Sequence, residues 1–342
     1  MRELLAALAA EEGPERYRLY ARERWTELPG QRFAWSLSRA PDPAWHLATA
    51  ARASRSCAAF LSTNSYLTAW TTTVPTAIFV HDLVAWMRGA EAQARAARIE
   101  RATIGPALRR AAVLICNSEA TRRDLVEHFP RVAARAMTIP LAADPRFAEP
   151  VEPALLDRPY VLAVGTPEPR KNLLRLIEAF AALPDDLREG HVLALVGPRG
   201  WEDETVLREA ASRPDDVAVL GHVDEERLHG LYAGAACFAY PSLYEGFGLP
   251  VLEAMTAGAP VLTSSVSSLP EVAGNAALLV DPHDVRAIRD GLAAILGDPR
   301  RARALREAGP ARARRYSWAR SARETRDVLR EISRRGERGT RR

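Results

Sequence analysis

From residue 160 to residue 296, short apolar runs and amphipathic stretches take turns, and this alternation limits the fold more than any other feature of the chain. "YVLAVG" (160–165) has the look of a strand ending in glycine. "NLLRLIEAFAAL" (172–183) places Leu173, Leu176, Ile177 and Phe180 at helical spacing. "HVLALVG", "VAVLG", "CFAYPS", "PVLTS" and "AALLV" predict further strands. "EDETVLREAA", "DEERLHGLYAGA", "PVLEAMTAG" and "DVRAIRDGLAAIL" predict the helices between them. Asp224 is placed to cap one helix; Pro250 stands at the start of another and Gly258 just past its end. Strands alternating with helices imply βαβ units and a parallel sheet covered on both faces. In such sheets ligands bind in the loops at the carboxyl ends of the strands.

The first half alternates less clearly. "CAAFLS", "TAIFVHDL" and "AAVLICNS" predict strands, with helical stretches between them, and "MRELLAALAAEEGPERYR" predicts an amphipathic helix rather than a signal peptide. The proline- and acid-rich "DPRFAEPVEPALLDRPY" suggests a boundary near 150. With 342 residues, two domains are the natural prior. The expected organisation is residues 1–150, residues 151–315, a terminal helix over 316–333 and a disordered basic tail over 334–342. Cys57, Cys116 and Cys237 form no CxxC pair, which argues against a disulfide framework or a zinc site and for a reducing cytoplasm. No apolar run reaches the ~20 residues of a membrane span. Positions 1–150 hold 20 basic and 15 acidic residues, a surplus that suits a phosphate or an acidic membrane surface as well as a plain solvated face. Arg95, Arg98, Arg101, Arg109 and Arg110 are the residues that would form a basic patch for acidic lipid.

Of the 47 basic side chains, all but one are arginine, and the exception is Lys171 in "GTPEPRKN" (165–172). A second informative stretch runs from 240 to 282 and opens "YPSLYEGFGLPVLEAM". Gly246 and Gly248 let the backbone turn and approach a ligand, and N–H groups beside a helix start suit an anion or a sugar hydroxyl. Glu245 and Glu253 bracket this loop. Carboxylates repel a diphosphate but are strong acceptors for hydroxyls. The loop therefore suggests a polyhydroxylated ligand that also carries phosphate.

Glu245, seven intervening residues and Glu253, in the context "EGFGLPVLEAM", resemble the signature of retaining glycosyltransferases of family 4. "VGTPEPRKNLLRLIEAF" and "LGHVDEERLHGLYAGAACFAYPS" are similar to further segments of that family. "VHDLV", "CNSEATRRDLVEHF", "IPLAADPRF" and the terminal "YSWARSARETRDVLREI" match weaker patterns. The resemblance implies an α/β GT-B fold, two Rossmann-like doubly wound parallel-sheet domains facing a cleft. It implies a hexosyl transfer from a nucleotide-diphosphate sugar to a hydroxyl acceptor with retention of configuration, in glycan, polysaccharide or glycolipid synthesis. Lys171 would contact the donor diphosphate, with Arg170 beside it. Glu245 would hold hydroxyls of the transferred sugar and Glu253 the ribose. Gly165, Thr166, Gly246, Phe247, Gly248 and Leu249 would line the donor, and Val223 would meet the base through its backbone. The loop 264–272 would line the base or ribose pocket. His81 would stand near the donor sugar, whereas Asp82, Ser118 and Thr121 are read as local orienting and capping residues.

No metal or other cofactor is implied, and no nucleic-acid partner. The acceptor is a glycan, a lipid-linked sugar or a small molecule. The protein would work in the cytoplasm, with contact at the inner face of the membrane as a further expectation. Mannose from a GDP donor is the first choice. Two departures stand out. Thr166 occupies a position where the family often carries arginine. The chain also opens at a helix where family members open on a strand and glycine-rich loop, so either the start lies upstream or a short form is weakened. The latter favours a rival reading, a degenerate GT-B module that binds without turnover. A nucleotide-sugar epimerase is a less favoured alternative.

Overall fold

The computed structural model describes residues 2–63, 65–86, 94–198 and 203–340, without the side chains of 94–96, 203 and 337–340. The chain divides into two compact units. Ala142–Tyr316 lies in one, while the described residues up to Trp86, those from 94 to Leu141 and those from Ser317 lie in the other.

The first unit holds two parallel sheets. β1 (Tyr17–Ala21) pairs with β2 (Phe33–Leu37), and β3 (Phe60–Ser62), β4 (Thr76–Val80), β5 (Val113–Cys116) and β6 (Ala136–Thr138) follow one another in order in a four-stranded sheet. The expected strands are β3, β4 and β5. β1, β2 and β6 were not anticipated. The N-terminal helix Arg2–Ala10 buries Leu4, Leu5 and Leu8 in a cluster with Phe33, Phe79, Ala322 and Ile332.

The second unit holds six strands: β7 (Tyr160–Val164), β8 (Val192–Val196), β9 (Val217–Gly221), β10 (Cys237–Tyr240), β11 (Val261–Ser264) and β12 (Leu278–Val280). All are parallel, in the order β12-β11-β10-β7-β8-β9. β8 is buried at every position because helices cover both faces, which explains its uninterrupted apolar reading. The helix Leu173–Ala181 turns Leu173, Leu176, Ile177 and Phe180 into the core, as its spacing predicts. Asp224 caps its helix by accepting from Arg227 N–H at 2.8 Å. The chain moves outward from β7 through β8 to β9, then returns to β10 on the other side of β7. That reversal creates a crevice at the carboxyl ends of β7 and β10, the usual ligand site of an open α/β sheet.

Two boundaries differ from expectation. The units meet between Leu141 and Ala142, not near 150. The segment after Ala142 joins the second unit because Phe147 is buried edge-on against His229 and Tyr232, and Arg146 pairs with Glu225. The terminal helix runs over Trp318–Thr340, so 334–340 is helical where a disordered tail was expected. It belongs with the first unit, where Arg326 pairs with Glu11 at 2.7 Å.

Phe180 has no exposed surface, so Phe180→Ala leaves a cavity beneath the β7–β8 face. It should lower the second unit's stability to denaturant by about 3–5 kcal/mol. A loss below about 1 kcal/mol would contradict this packing.

Candidate functional site

The site is built from the loops that follow β7 and β10. After β7, Gly165 N–H donates to Val196 O at 2.8 Å, drawing this loop against the end of β8. The approach is so close that a Cβ on Gly197 would lie 2.2 Å from Gly165 O. Pro169–Lys171 then form one 3-10 turn, and Asn172 takes a left-handed conformation (φ 61) before the helix Leu173–Ala181. The Asn172 amide donates to Pro241 O at 3.0 Å and to Pro282 O at 2.7 Å, and Leu243 N–H donates to Arg170 O at 2.7 Å. These bonds fasten the β7 loop to the β10 loop.

The fastening brings Lys171 to Glu245. Lys171 is 9% exposed and Glu245 8%. Lys171 Nζ lies 2.6 Å from Glu245 Oε1, and Arg170 reaches Oε2 at 2.8 Å while its Nε holds Glu168 at 2.8 Å. The Tyr240 hydroxyl donates to Glu245 Oε1 at 2.9 Å and accepts from Lys171 Nζ, which also lies 4.8 Å from the Tyr240 ring centre. Burial works to raise the Glu245 carboxyl, but the charges of Lys171 and Arg170 outweigh it and hold it below its ordinary value. Burial draws the Lys171 ammonium down, with Glu245 opposing. Tyr240 is pushed well up by burial and by Glu245, so it stays a neutral donor.

The backbone around Glu245 is held as firmly. Its N–H donates to Ser267 Oγ at 3.0 Å, and Ser268 Oγ lies 2.8 Å from the carbonyls of both Glu245 and Phe247. The serines of the 264–272 loop, expected to line a base or ribose pocket, thus include two that anchor Glu245. Phe247 is buried edge-on to Tyr316. Gly248 has φ 102, and a Cβ there would meet Leu269 at 2.7 Å, so glycine is needed to start the helix Leu249–Thr256. Gly246 and Leu249 are half-buried at the same turn. Glu253, inside that helix, accepts from the Tyr232 hydroxyl at 3.1 Å. Burial, with the Asp144 charge adding to it, pushes its carboxyl up to about 7 against that hydrogen bond. Thr166 and Val223 are half-buried in the loops after β7 and β9.

His81 lies in the first unit, at the carboxyl end of β4. Its Nε2 stands 2.6 Å from Thr63 O and, since a carbonyl can only accept, donates to it. Its ring stacks on Phe79, and Asn117 donates to its carbonyl at 2.8 Å. Asp82 accepts from Val84 N–H at 3.1 Å, and Ser118 caps its helix by accepting from Thr121 N–H at 3.0 Å. The expected basic patch on the helix Ala94–Arg110 is partly spent locally. Arg101 donates to Ala85 O and Arg110 to Thr72 O, while the side chain of Arg95 lies outside the described residues.

Sequence reasoning missed Tyr240, Tyr232 and Glu168, and gave the loop of Ser267 and Ser268 to the base or ribose rather than to the backbone of Glu245. The available signal was Tyr240 itself, a phenol ending the otherwise apolar strand "CFAY" five residues before Glu245. Among the described residues no group of three or more His, Cys, Asp or Glu is placed to hold a metal ion, and no helix is long and apolar enough to cross a membrane.

A family model described as Glycosyl transferases group 1 matches residues 146–312, and one described as Glycosyltransferase Family 4 matches residues 5–147. The O-antigen chain mannosyltransferase B of Escherichia coli is 39% identical over 219 residues, 61% of this chain and 58% of that protein. The MMP alpha-(1->4)-mannosyltransferase of Mycolicibacterium hassiacum is 31% identical over 177 residues, 50% of this chain and 42% of that protein. The chain thus spans roughly half the length of these curated relatives. Among solved structures, sucrose-phosphate synthase from Thermosynechococcus elongatus superposes with a TM-score of 0.78 at 23% identity, covering 97% of this chain and 92% of that one. WaaG, a glycosyltransferase involved in lipopolysaccharide biosynthesis, gives 0.72 at 18%, covering 96% and 94%. Both carry the GT-B fold, and the likeness extends that fold to this chain.

An acid held near 7 in the fold and near 4.5 in the unfolded chain keeps its proton only when folded across that window. The fold therefore loses stability as pH rises from ~4.5 to ~7, and the loss is complete above it. Glu253→Gln removes the titration while keeping an acceptor for Tyr232. Relative to wild type, the variant should gain up to about 3 kcal/mol between pH 5 and pH 8 in denaturant melts. A stability difference that is the same at both pH values would contradict the environment described for Glu253.

Proposed function

Because the chain belongs to the family 4 glycosyltransferases of the GT-B fold, we propose that it transfers a hexosyl group from a nucleotide-diphosphate sugar to a hydroxyl acceptor with retention of configuration. The observation that carries the reading is the Lys171–Arg170–Glu245 group at the carboxyl ends of β7 and β10, the point where the strand order reverses. Two cations and one carboxylate suit a ligand that is anionic at one end and rich in hydroxyls at the other.

In the proposed reaction the bond between the anomeric carbon and the diphosphate oxygen breaks, and a bond to the acceptor oxygen forms. The acceptor's hydroxyl proton passes to the departing phosphate oxygen, so no protein base is called for. Charge builds on that phosphate, and Lys171 and Arg170 stabilise it in a partly buried setting where each charge counts for more than in water. The reading therefore asks for no metal ion. Glu245 accepts from hydroxyls of the transferred sugar. Glu253 accepts from the ribose, and the backbone of Val223 meets the base. The turn Gly246–Gly248, with Leu249, and the loop of Gly165 and Thr166 line the donor. His81 is assigned to the transferred sugar as well. Mannose carried on GDP is the donor we favour, in line with the mannosyltransferase names of the relatives. The acceptor is a glycan, a polysaccharide or a lipid-linked sugar, met in the cytoplasm or at the inner face of the membrane.

A thermal-shift panel with GDP, UDP, ADP and dTDP tests the donor site. A nucleotide at ~100 times its dissociation constant stabilises the fold by roughly 2.7 kcal/mol. One nucleotide should raise the melting temperature, and Lys171→Ala should abolish that shift. Lys171→Arg should not restore it, because a planar guanidinium differs in shape and reach from the compact ammonium that sits over the Tyr240 ring and meets Glu245. Wild-type enzyme should then release that diphosphate from its sugar conjugate only with acceptor present. A full shift in Lys171→Ala would remove the role assigned to the lysine. Binding without turnover across a broad acceptor set would instead identify a non-catalytic module.

A further inference from the structure

The donor reading leaves open how the site distinguishes a loaded diphosphate from a spent one, and the environment of Glu245 bears on this. Its carboxylate is 8% exposed and draws on three donors: Lys171 at 2.6 Å, Arg170 at 2.8 Å and the Tyr240 hydroxyl at 2.9 Å. A buried carboxylate is tolerated only while such partners remain, and removing them costs far more than an exposed ion pair is worth. Lys171 and Arg170 are also the cations that these loops would offer to a diphosphate. The carboxylate and the diphosphate therefore compete for the same two groups.

If a diphosphate draws both cations away, Tyr240 alone is left, and it has one proton to give. The carboxylate cannot easily swing toward water, because its main chain is fastened to Ser267 and Ser268. A free nucleoside diphosphate would leave Glu245 buried and under-paired. A diphosphate that carries a sugar brings hydroxyls that replace the lost donors.

Resting on the donor reading, we infer that Glu245 is a resident counter-anion that makes the site favour the sugar-bearing diphosphate over the free one. It also promotes product release. Once the sugar has been transferred, its hydroxyls leave Glu245, the carboxylate reclaims Lys171 and Arg170, and the spent diphosphate is displaced. Glu245 is then a specificity-determining residue as well as a sugar contact, and neutralising it strengthens product binding.

The test is calorimetric titration of wild type and Glu245→Gln with GDP and GDP-mannose, and with UDP and UDP-glucose as the second pair. For the pair that binds, wild type should favour the sugar nucleotide on the order of 10-fold. Glu245→Gln should bind the free diphosphate on the order of 10-fold tighter than wild type and lose most of that preference. Equal affinity of wild type for both members overturns the inference, as does a variant that binds the free diphosphate no tighter. If neither pair binds wild type, the donor reading falls and takes this inference with it. If wild type binds and transfers sugar but shows no preference, only this inference is lost. Should Glu245→Gln fail to give a cooperative melt, the wild-type ratio decides alone.

Discussion

A buried carboxylate needs partners, and much of the second unit's loop structure supplies them to Glu245. Lys171 reaches it because the loop after β7 is pulled against β8 at Gly165 and turned by Asn172 in a left-handed conformation. The same Asn172 ties that loop to Pro241 and Pro282, so the cation and the anion are positioned by one set of bonds. Tyr240, at the last position of β10, joins the two charges through its hydroxyl. The sheet order puts β7 beside β10, and this adjacency lets residues 74 positions apart in sequence form one ion pair.

The two glutamates of the loop and helix meet opposite environments. Glu245 has two cations and a phenol, and they hold it ionised despite its burial. Glu253 meets a phenol and the charge of Asp144, and burial pushes its carboxyl up to about 7. Two carboxylates eight residues apart are thereby set for different work. One is a fixed charge in a network of cations. The other is poised between acceptor and donor, which fits binding to a pair of hydroxyls better than binding to a phosphate.

The second unit was legible in the sequence because strands covered on both faces read as unbroken apolar runs and helices as periodic ones. The first unit was harder for the opposite reason. β1 and β2 are partly exposed and carry residues such as Arg18 and Ser36, and β6 is three residues long with Met137 exposed. The domain boundary was placed by composition, but Phe147 decides it by packing, a long-range contact that no local pattern reveals. The tail was misread because a charge-rich stretch looks disordered, whereas pairs four apart, Arg335 with Glu331 and Arg320 with Glu324, support the helix there. At the site, the charged residues could be read from motifs. The groups that position them, Tyr240, Ser267 and Ser268, could not, because their roles depend on loops brought together only by the sheet.

The sequence also supplies the means to test the central claim, that the Lys171 ammonium is held by Glu245 and passes to a diphosphate. Lys171 is the only lysine in the chain, so lysine labelled with nitrogen-15 at Nζ gives one side-chain signal that needs no assignment. The account predicts a signal protected from solvent exchange in the free protein, which moves to a new position on saturation with the nucleotide sugar that binds. A rapidly exchanging signal, or one unmoved at saturation, would contradict the account.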